Sequence, residues 1–137
     1  MAIFNWDNKY SVNHFQIDTH HKKLFDILNK LYDLMAAGAD DNGIIKIITE
    51  LLDYTNYHFS EEEKIMQQVS YPDLSIHKQL HREFISKLEE FQNDAKNGKA
   101  IFVAVKVADI GVSWLKEHIL TVDTRYKTYL EKGGIVA

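Results

Sequence analysis

Residues 44–62 read IIKIITELLDYTNYHFSEE, and one face of this stretch decides the fold. Ile44, Ile48, Leu51, Thr55, His58 and Glu62 recur at intervals of four and three. That is the period of one side of an α-helix. The stripe begins in aliphatic residues and ends in an imidazole and a carboxylate. A helix with such a face buries its apolar end in a core. It also carries two groups suited to a transition metal into the same interior.

The pattern repeats on either side. A first helix is expected after Asp18, a good N-cap, stopping near Gly38, a good residue just past a helix end. Its inner face reads His21, Leu24, Leu28, Leu31, Met35. The quoted helix starts near Asp40 or Asp41 and runs to about Gln67. A third follows the turn Ser70-Tyr71-Pro72-Asp73 and ends before Asn97-Gly98, with His77, His81, Phe84, Leu88, Phe91 and Ala95 inward. A fourth runs from about Lys99 to about Leu120, with Val107, Gly111, Trp114, Leu115 and His118 inward. A short fifth helix is expected over 122–131. Residues 1–17 lack helical period but carry Phe4, Trp6, Tyr10, Phe15 and Ile17, so they form an arm packed along the helices.

Short connections make successive helices antiparallel neighbours. The expectation is an all-α, up-down-up-down antiparallel four-helix bundle over 18–131, with an N-terminal arm over 1–17 and a short C-terminal helix. The whole of 1–137 reads as one domain. This topology has a chemical result. His21 opens the first helix and His58 and Glu62 close the second. His77 and His81 open the third, and His118 closes the fourth. All these positions fall at one end of the bundle.

Composition narrows the function. The net charge is −4, which argues against nucleic acid or an anionic membrane as partner. There is no cysteine, so disulfides, iron–sulfur clusters and Cys-ligated zinc are excluded. The N-terminus has no basic segment followed by an apolar run, and no apolar stretch is long enough to span a bilayer. The expected location is the cytoplasm.

Five of the seven histidines stand in the converging set His21, His58, Glu62, His77, His81, His118 and Asp123. Seven donors are too many for one tetrahedral ion and suit two ions sharing carboxylates. Singly, each is more ordinary: a hydrogen-bonded core histidine, a solvated glutamate, a cap at Asp123. Together they are not, because buried polar groups in that number must be paired or metal-bound. His58 and Glu62 are four apart, as are His77 and His81, so each pair shares a helix face. His118 and Asp123 are five apart, a poor spacing for one ideal helix. The chain must end, kink or form a π-turn between them for both to serve. Glu61 and Glu63 read as solvated, and His14 and His20 as surface or arm residues.

Other metal motifs fail. A zincin needs H-E-x-x-H, and Lys78 stands where the glutamate would be. Carboxylate-rich di-iron bundles need E-x-x-H, and no Glu here has a His three residues on.

The whole set resembles the hemerythrin signature. The residues that carry the resemblance are Ile17-Asp18-Thr19-His20-His21-Lys22, His58-Phe59 with Glu62 and Met66, His77-Lys78-Gln79-Leu80-His81, and Trp114-Leu115-Lys116-Glu117-His118-Ile119 with Asp123. Trp6 and the Tyr71-Pro72 turn also resemble bacterial single-domain members of that family. One departure is His20, where such members usually have Gln. Helical phase favours His21 as the ligand and turns His20 about 100° away.

The resemblance implies two Fe ions. His77, His81 and His118 would hold one, and His21 and His58 the other, which keeps an open position. Glu62 and Asp123 would bridge them beside an oxo or hydroxo group. The implied function is reversible O2 binding, with O2 held as hydroperoxide on one iron, for carriage, storage or delivery. The protein would then not be an enzyme, although a di-iron peroxidase, a nitric oxide reductase and an oxygen-sensing module are alternative uses of such a site. Leu24, Phe59, Trp114, Leu115 and Ile119, each a turn or less from a ligand, would wall the O2 pocket and exclude water. Small anions such as azide would compete at the open iron, and an oxygen-using enzyme is a candidate recipient. Tyr126, three residues after Asp123, would hydrogen-bond a bridging group or simply pack in the last helix.

Overall fold

The computed structural model describes residues 5–127, without the side chains at 124 and 126. Four helices make the bundle: α1 Phe15–Ala36, α2 Asp41–Gln68, α3 Leu74–Asp94 and α4 Ala100–Glu117. No strand occurs among the described residues. The expected inner faces are the buried ones: Leu24, Leu28 and Leu31 on α1, Ile44, Ile48 and Leu51 on α2, Phe84 and Leu88 on α3, Val107 and Leu115 on α4. The buried sides of α1 and α2 are wider than one stripe, since Phe25, Ile27, Ile47 and Leu52 also lie inside. Each of these helices packs against more than one neighbour, so more than one face is covered.

Local signals explain most boundaries. The Asp40 side chain accepts from the Gly43 N–H at 2.9 Å and caps α2. Gly38 has φ 71 after the end of α1, the left-handed position that a helix stop favours. The start of α1 differs from expectation. The helix begins at Phe15, with the His14 ring accepting from the Ile17 N–H at 3.3 Å. Asp18 lies one turn inside and reaches back, accepting from Ser11 Oγ at 2.5 Å and from the Val12 N–H at 2.9 Å. Its carboxylate therefore ties the arm to the helix. The arm is shorter than 1–17, and Phe15, the first helical residue, points to solvent at 88% exposure. Tyr10 and Val12 are buried, and Trp6 packs against Tyr10 and Phe25. Phe4 lies outside the described residues.

Two irregular turns lie at opposite ends of α4. Between α3 and α4 the chain leaves helical geometry at Asn97 (φ −92, ψ 21) and Gly98 (φ 93, ψ 13). After α4 the backbone widens into a π-turn over His118–Val122 and then tightens into a 3₁₀ turn over Asp123–Tyr126. The expected fifth helix is represented by that turn as far as 127, and its remainder lies outside the described residues.

Gly98 carries the strained angle, and nothing lies within 4 Å of where a Cβ would stand. Gly98→Ala should destabilise the fold through the backbone alone, by about 1 kcal/mol or slightly more. Urea denaturation against wild type measures it, and an unchanged midpoint would show that the α3–α4 corner tolerates a side chain.

Candidate metal centre

The four helices bring all seven expected donors into one interior. His21, His58, Glu62, His77, His81, His118 and Asp123 are each at most 4% exposed. Ligand-capable atoms fall into two groups that share a member. His77, His81, His118, Asp123 and Glu62 form one; His21, His58 and Glu62 form the other.

The two carboxylates join the groups. Glu62 turns Oε2 toward His21 and His58, 3.4 Å from the Nε2 of each. It turns Oε1 toward His77 at 3.3 Å and His81 at 3.1 Å. Asp123 turns Oδ2 toward His21 at 3.2 Å, and Oδ1 toward His77 at 2.8 Å and His118 at 3.0 Å. Each carboxylate thus presents a separate oxygen to each histidine set, the arrangement of a group that spans two cations.

The π-turn makes Asp123 part of this. On an ideal helix it would lie about 140° round from His118. The turn over His118–Val122 inserts the extra residue that returns it to the same side.

These residues fit a metal pair. The Nε2 atoms of His21, His58 and His81 and Oδ1 of Asp123 are buried and face other members of the cluster at 2.8–3.4 Å. The Nε2 atoms of His77 and His118 face each other at 3.2 Å. Lone pairs aimed at a common interior point, in a site of imidazoles and carboxylates only, are what cations would satisfy.

The electrostatics agree. Burial alone would raise the Glu62 carboxyl. The charge of His58 and hydrogen bonds from His21, His58 and His77 overcome it and hold Glu62 well below the usual carboxylate range. Burial and the charge of Glu62 push Asp123 upward, but His118 and a hydrogen bond from His21 bring it well below as well. Burial lowers His21 and His77, and their hydrogen bonds to Asp123 and Glu62 win, raising them to about 9 and about 10. At His58 burial dominates and pushes it down to about 4.

Two contributors were not expected from the sequence. Glu63, read as solvated, places Oε2 2.8 Å from His81 Nδ1 and backs that ring. His20, read as a surface residue, is only 7% exposed, and its Nδ1 lies 3.0 Å from His58 Nδ1. The signal that could have found them is chemical: a ligand histidine needs a partner for its outer nitrogen. Residues beside a ligand on the same helix are natural suppliers.

The expected pocket residues fall into two groups, two rings that touch ligand histidines and three aliphatic side chains buried in the bundle core. Phe59 stacks on His81 with centroids 3.7 Å apart, and Trp114 stacks on His118 at 4.3 Å and on Phe84 at 4.0 Å. Both rings therefore press on the three-histidine group. Leu24, Leu115 and Ile119 are buried in the same core cluster, at most 4% exposed. The side chain of Tyr126 lies outside the described residues.

Fold and site together define a four-helix bundle protein with a buried, histidine-rich cluster whose two carboxylates face two histidine sets. Comparisons with known proteins agree. The family model for the hemerythrin HHE cation binding domain matches residues 14–130. Bacteriohemerythrin of Clostridium acetobutylicum is 38% identical over 130 residues, covering 90% of this chain and 98% of that protein. Myohemerythrin-1 of Phascolopsis gouldii is 31% identical over 123 residues, covering 89% of this chain and 90% of that protein. The crystal structure of wild-type hemerythrin superposes with a TM-score of 0.82 at 32% identity, covering 94% of this chain and 98% of that one. The chain belongs to the hemerythrin family, and its buried cluster of histidines and carboxylates fits a di-iron oxygen-binding site.

Metal loading should displace protons. With His21 raised to about 9 and His77 to about 10, both rings carry protons at pH 7 in the metal-free protein. Loading at pH 7 should release at least about two protons, since His81 is raised as well, and affinity should climb as pH rises toward 9. The sign for the metal-free fold is opposite. These two groups stabilise it fully below their ordinary value of 6.5, and that contribution fades as pH rises through about 9 to 10. Calorimetric titration in buffers of different ionisation enthalpy counts the protons; none released at pH 7 would contradict the scheme.

Proposed function

We propose that this chain is a reversible O2 binder used for carriage, storage or delivery. The reading takes 1–137 as one domain, with His21, His58, Glu62, His77, His81, His118 and Asp123 as the metal ligands. The supporting observation is the division of each carboxylate's oxygens between the two histidine sets. When bound, an iron pair supplies the electrons that O2 takes up on binding and returns on release.

The protein's own residues have three tasks in this reading. His77, His81 and His118 complete one position with imidazoles, while His21 and His58 supply fewer donors to the other. That difference in donor number leaves a place for O2, or for azide as a competitor. Glu62 and Asp123 balance cation charge in a site closed to water. Leu24, Leu115 and Ile119, with Phe59 and Trp114, keep water and protons away from the bound ligand. None of these five carries an acid or a base, so none offers a proton for cleaving the O–O bond. This favours carriage over oxidation chemistry.

Among the described residues no helix is long and apolar enough to cross a membrane. The cytoplasm is the proposed location, and an oxygen-using enzyme the proposed recipient.

The iron-loaded, reduced protein should change its optical spectrum on mixing with O2 and recover the original one when O2 is removed. One-way oxidation with product formed would make it an enzyme. His77→Ala should lose most of the two-iron complement; a full complement would remove His77 from the ligand set. Leu115→Ala should keep two irons but lose bound oxygen faster to the oxidised state, and faster still with azide. A stability cost on the order of 2–5 kcal/mol accompanies the cavity. Equal decay rates at matched iron content would leave Leu115 with a packing role only.

A further inference from the structure

His20 and His58 meet through their Nδ1 atoms at 3.0 Å, with ring planes at 87°. Two neutral imidazoles in this relation share one proton, and there are two ways to place it. If His20 donates, His58 keeps its own proton on Nε2, where it points at Glu62 Oε2 3.4 Å away and blocks a cation. If His58 donates from Nδ1, its Nε2 lone pair is free for the interior, and His20 carries its proton on Nε2. Only the second arrangement is compatible with a metal at His58.

The setting of His20 suits this task. Its ring is held at the rim of the bundle by Tyr54 and Tyr57, with centroids at 5.9 Å and 5.3 Å. Tyr57 is about half exposed, so the outer edge of the cluster is close to water. Across the site, His81 is backed by a carboxylate instead, Glu63 at 2.8 Å. An anionic acceptor draws the imidazole proton harder and makes the ring a stronger donor than a neutral acceptor does. The two metal positions therefore receive unequal support. The three-histidine position has an anion behind one ligand, and the two-histidine position has an uncharged ring.

We propose that His20 is a positioning residue for the metal held by His21 and His58: it accepts the Nδ1 proton of His58, aims that ring's Nε2 lone pair inward, and does so without adding charge behind the open metal. The proposal rests on His58 being a ligand, and the experiment separates the two.

Zinc serves as a diamagnetic probe of the same donors. Wild type, His20→Gln, His20→Leu, His20→Glu and His58→Ala are titrated with zinc against a competing chelator, and the zinc-loaded wild type is studied by 15N NMR of the histidine rings. Wild type should bind two zinc ions, with His58 protonated at Nδ1. His20→Leu, which cannot accept, should bind the second zinc about 10- to 100-fold more weakly. His20→Gln can accept through its amide oxygen and should restore the affinity to near that of wild type. With iron, His20→Glu should autoxidise faster than His20→Gln, because the added anion favours the higher oxidation state. If His20→Leu binds the second zinc as tightly as wild type, or if His58 Nδ1 carries no proton in the loaded protein, the proposal is wrong. Should His20→Leu not fold, the NMR result and the Gln–Glu comparison decide alone. Two tightly bound zinc ions in His58→Ala would instead overturn the ligand assignment beneath the proposal, and the proposal with it.

Discussion

Two carboxylates, Glu62 and Asp123, lie fully buried among five imidazoles, and the rest of the structure accommodates that fact. Ionised carboxylates in a protein interior are costly unless paired. Here the pairing is supplied by every element at once: His21 from α1, His58 from α2, His77 and His81 from α3, and His118 from the turn after α4. No single helix could satisfy both acids. The site therefore requires four helices in one relative placement, and the π-turn exists in a position where a regular helix would aim Asp123 elsewhere. Of the two irregular turns that flank α4, this one falls where the chemistry needs it, while α1 to α3 stay regular beside it.

The aromatic stacks extend the same logic outward. Phe59 lies flat on His81 and Trp114 flat on His118, within 3° and 11° of parallel. A stacked ring leaves an imidazole little room to rotate about its own bond. With Glu63 on the outer nitrogen of His81 and His20 on that of His58, these histidines are held by edge or by face from outside the site. Orientation is thus settled by protein contacts and does not depend on a metal to impose it, which is the condition for precise ligand placement.

Much of this was legible in the chain. The four-three spacing through Ile44, Ile48, Leu51, Thr55, His58 and Glu62 appears as one continuous buried face. The five-residue interval from His118 to Asp123 called for a break in helical geometry, and the π-turn is that break. What periodicity cannot supply is the identity of whatever covers a side chain pointing away from the main seam. His20 does point away from His21, as phase requires, but α2 stands there and places His58 within hydrogen-bond reach. Glu63 is turned away from Glu62 by the same rule, and α3 meets it with His81. Asp18 has the composition of a cap and serves as a tether, because the local partner it found was the arm and not its own helix. Each miss is a contact between segments remote in sequence or a competition between equally plausible local partners.

The polarity of the bundle has a consequence for motion. All the ligands gather at one end, while the other end, around Leu31, Ile44, Ile48 and Val107, is apolar and buried. Local opening follows the distribution of burial. The apolar end holds the helices together whether or not the acids are neutralised, so it acts as the anchor about which the ligand-bearing end can breathe. Exchange of amide hydrogens would then be graded along each helix, slow at one end and metal-dependent at the other. An ion could enter a chain already folded, through fluctuations confined to a few turns, and leave the register of the helices undisturbed.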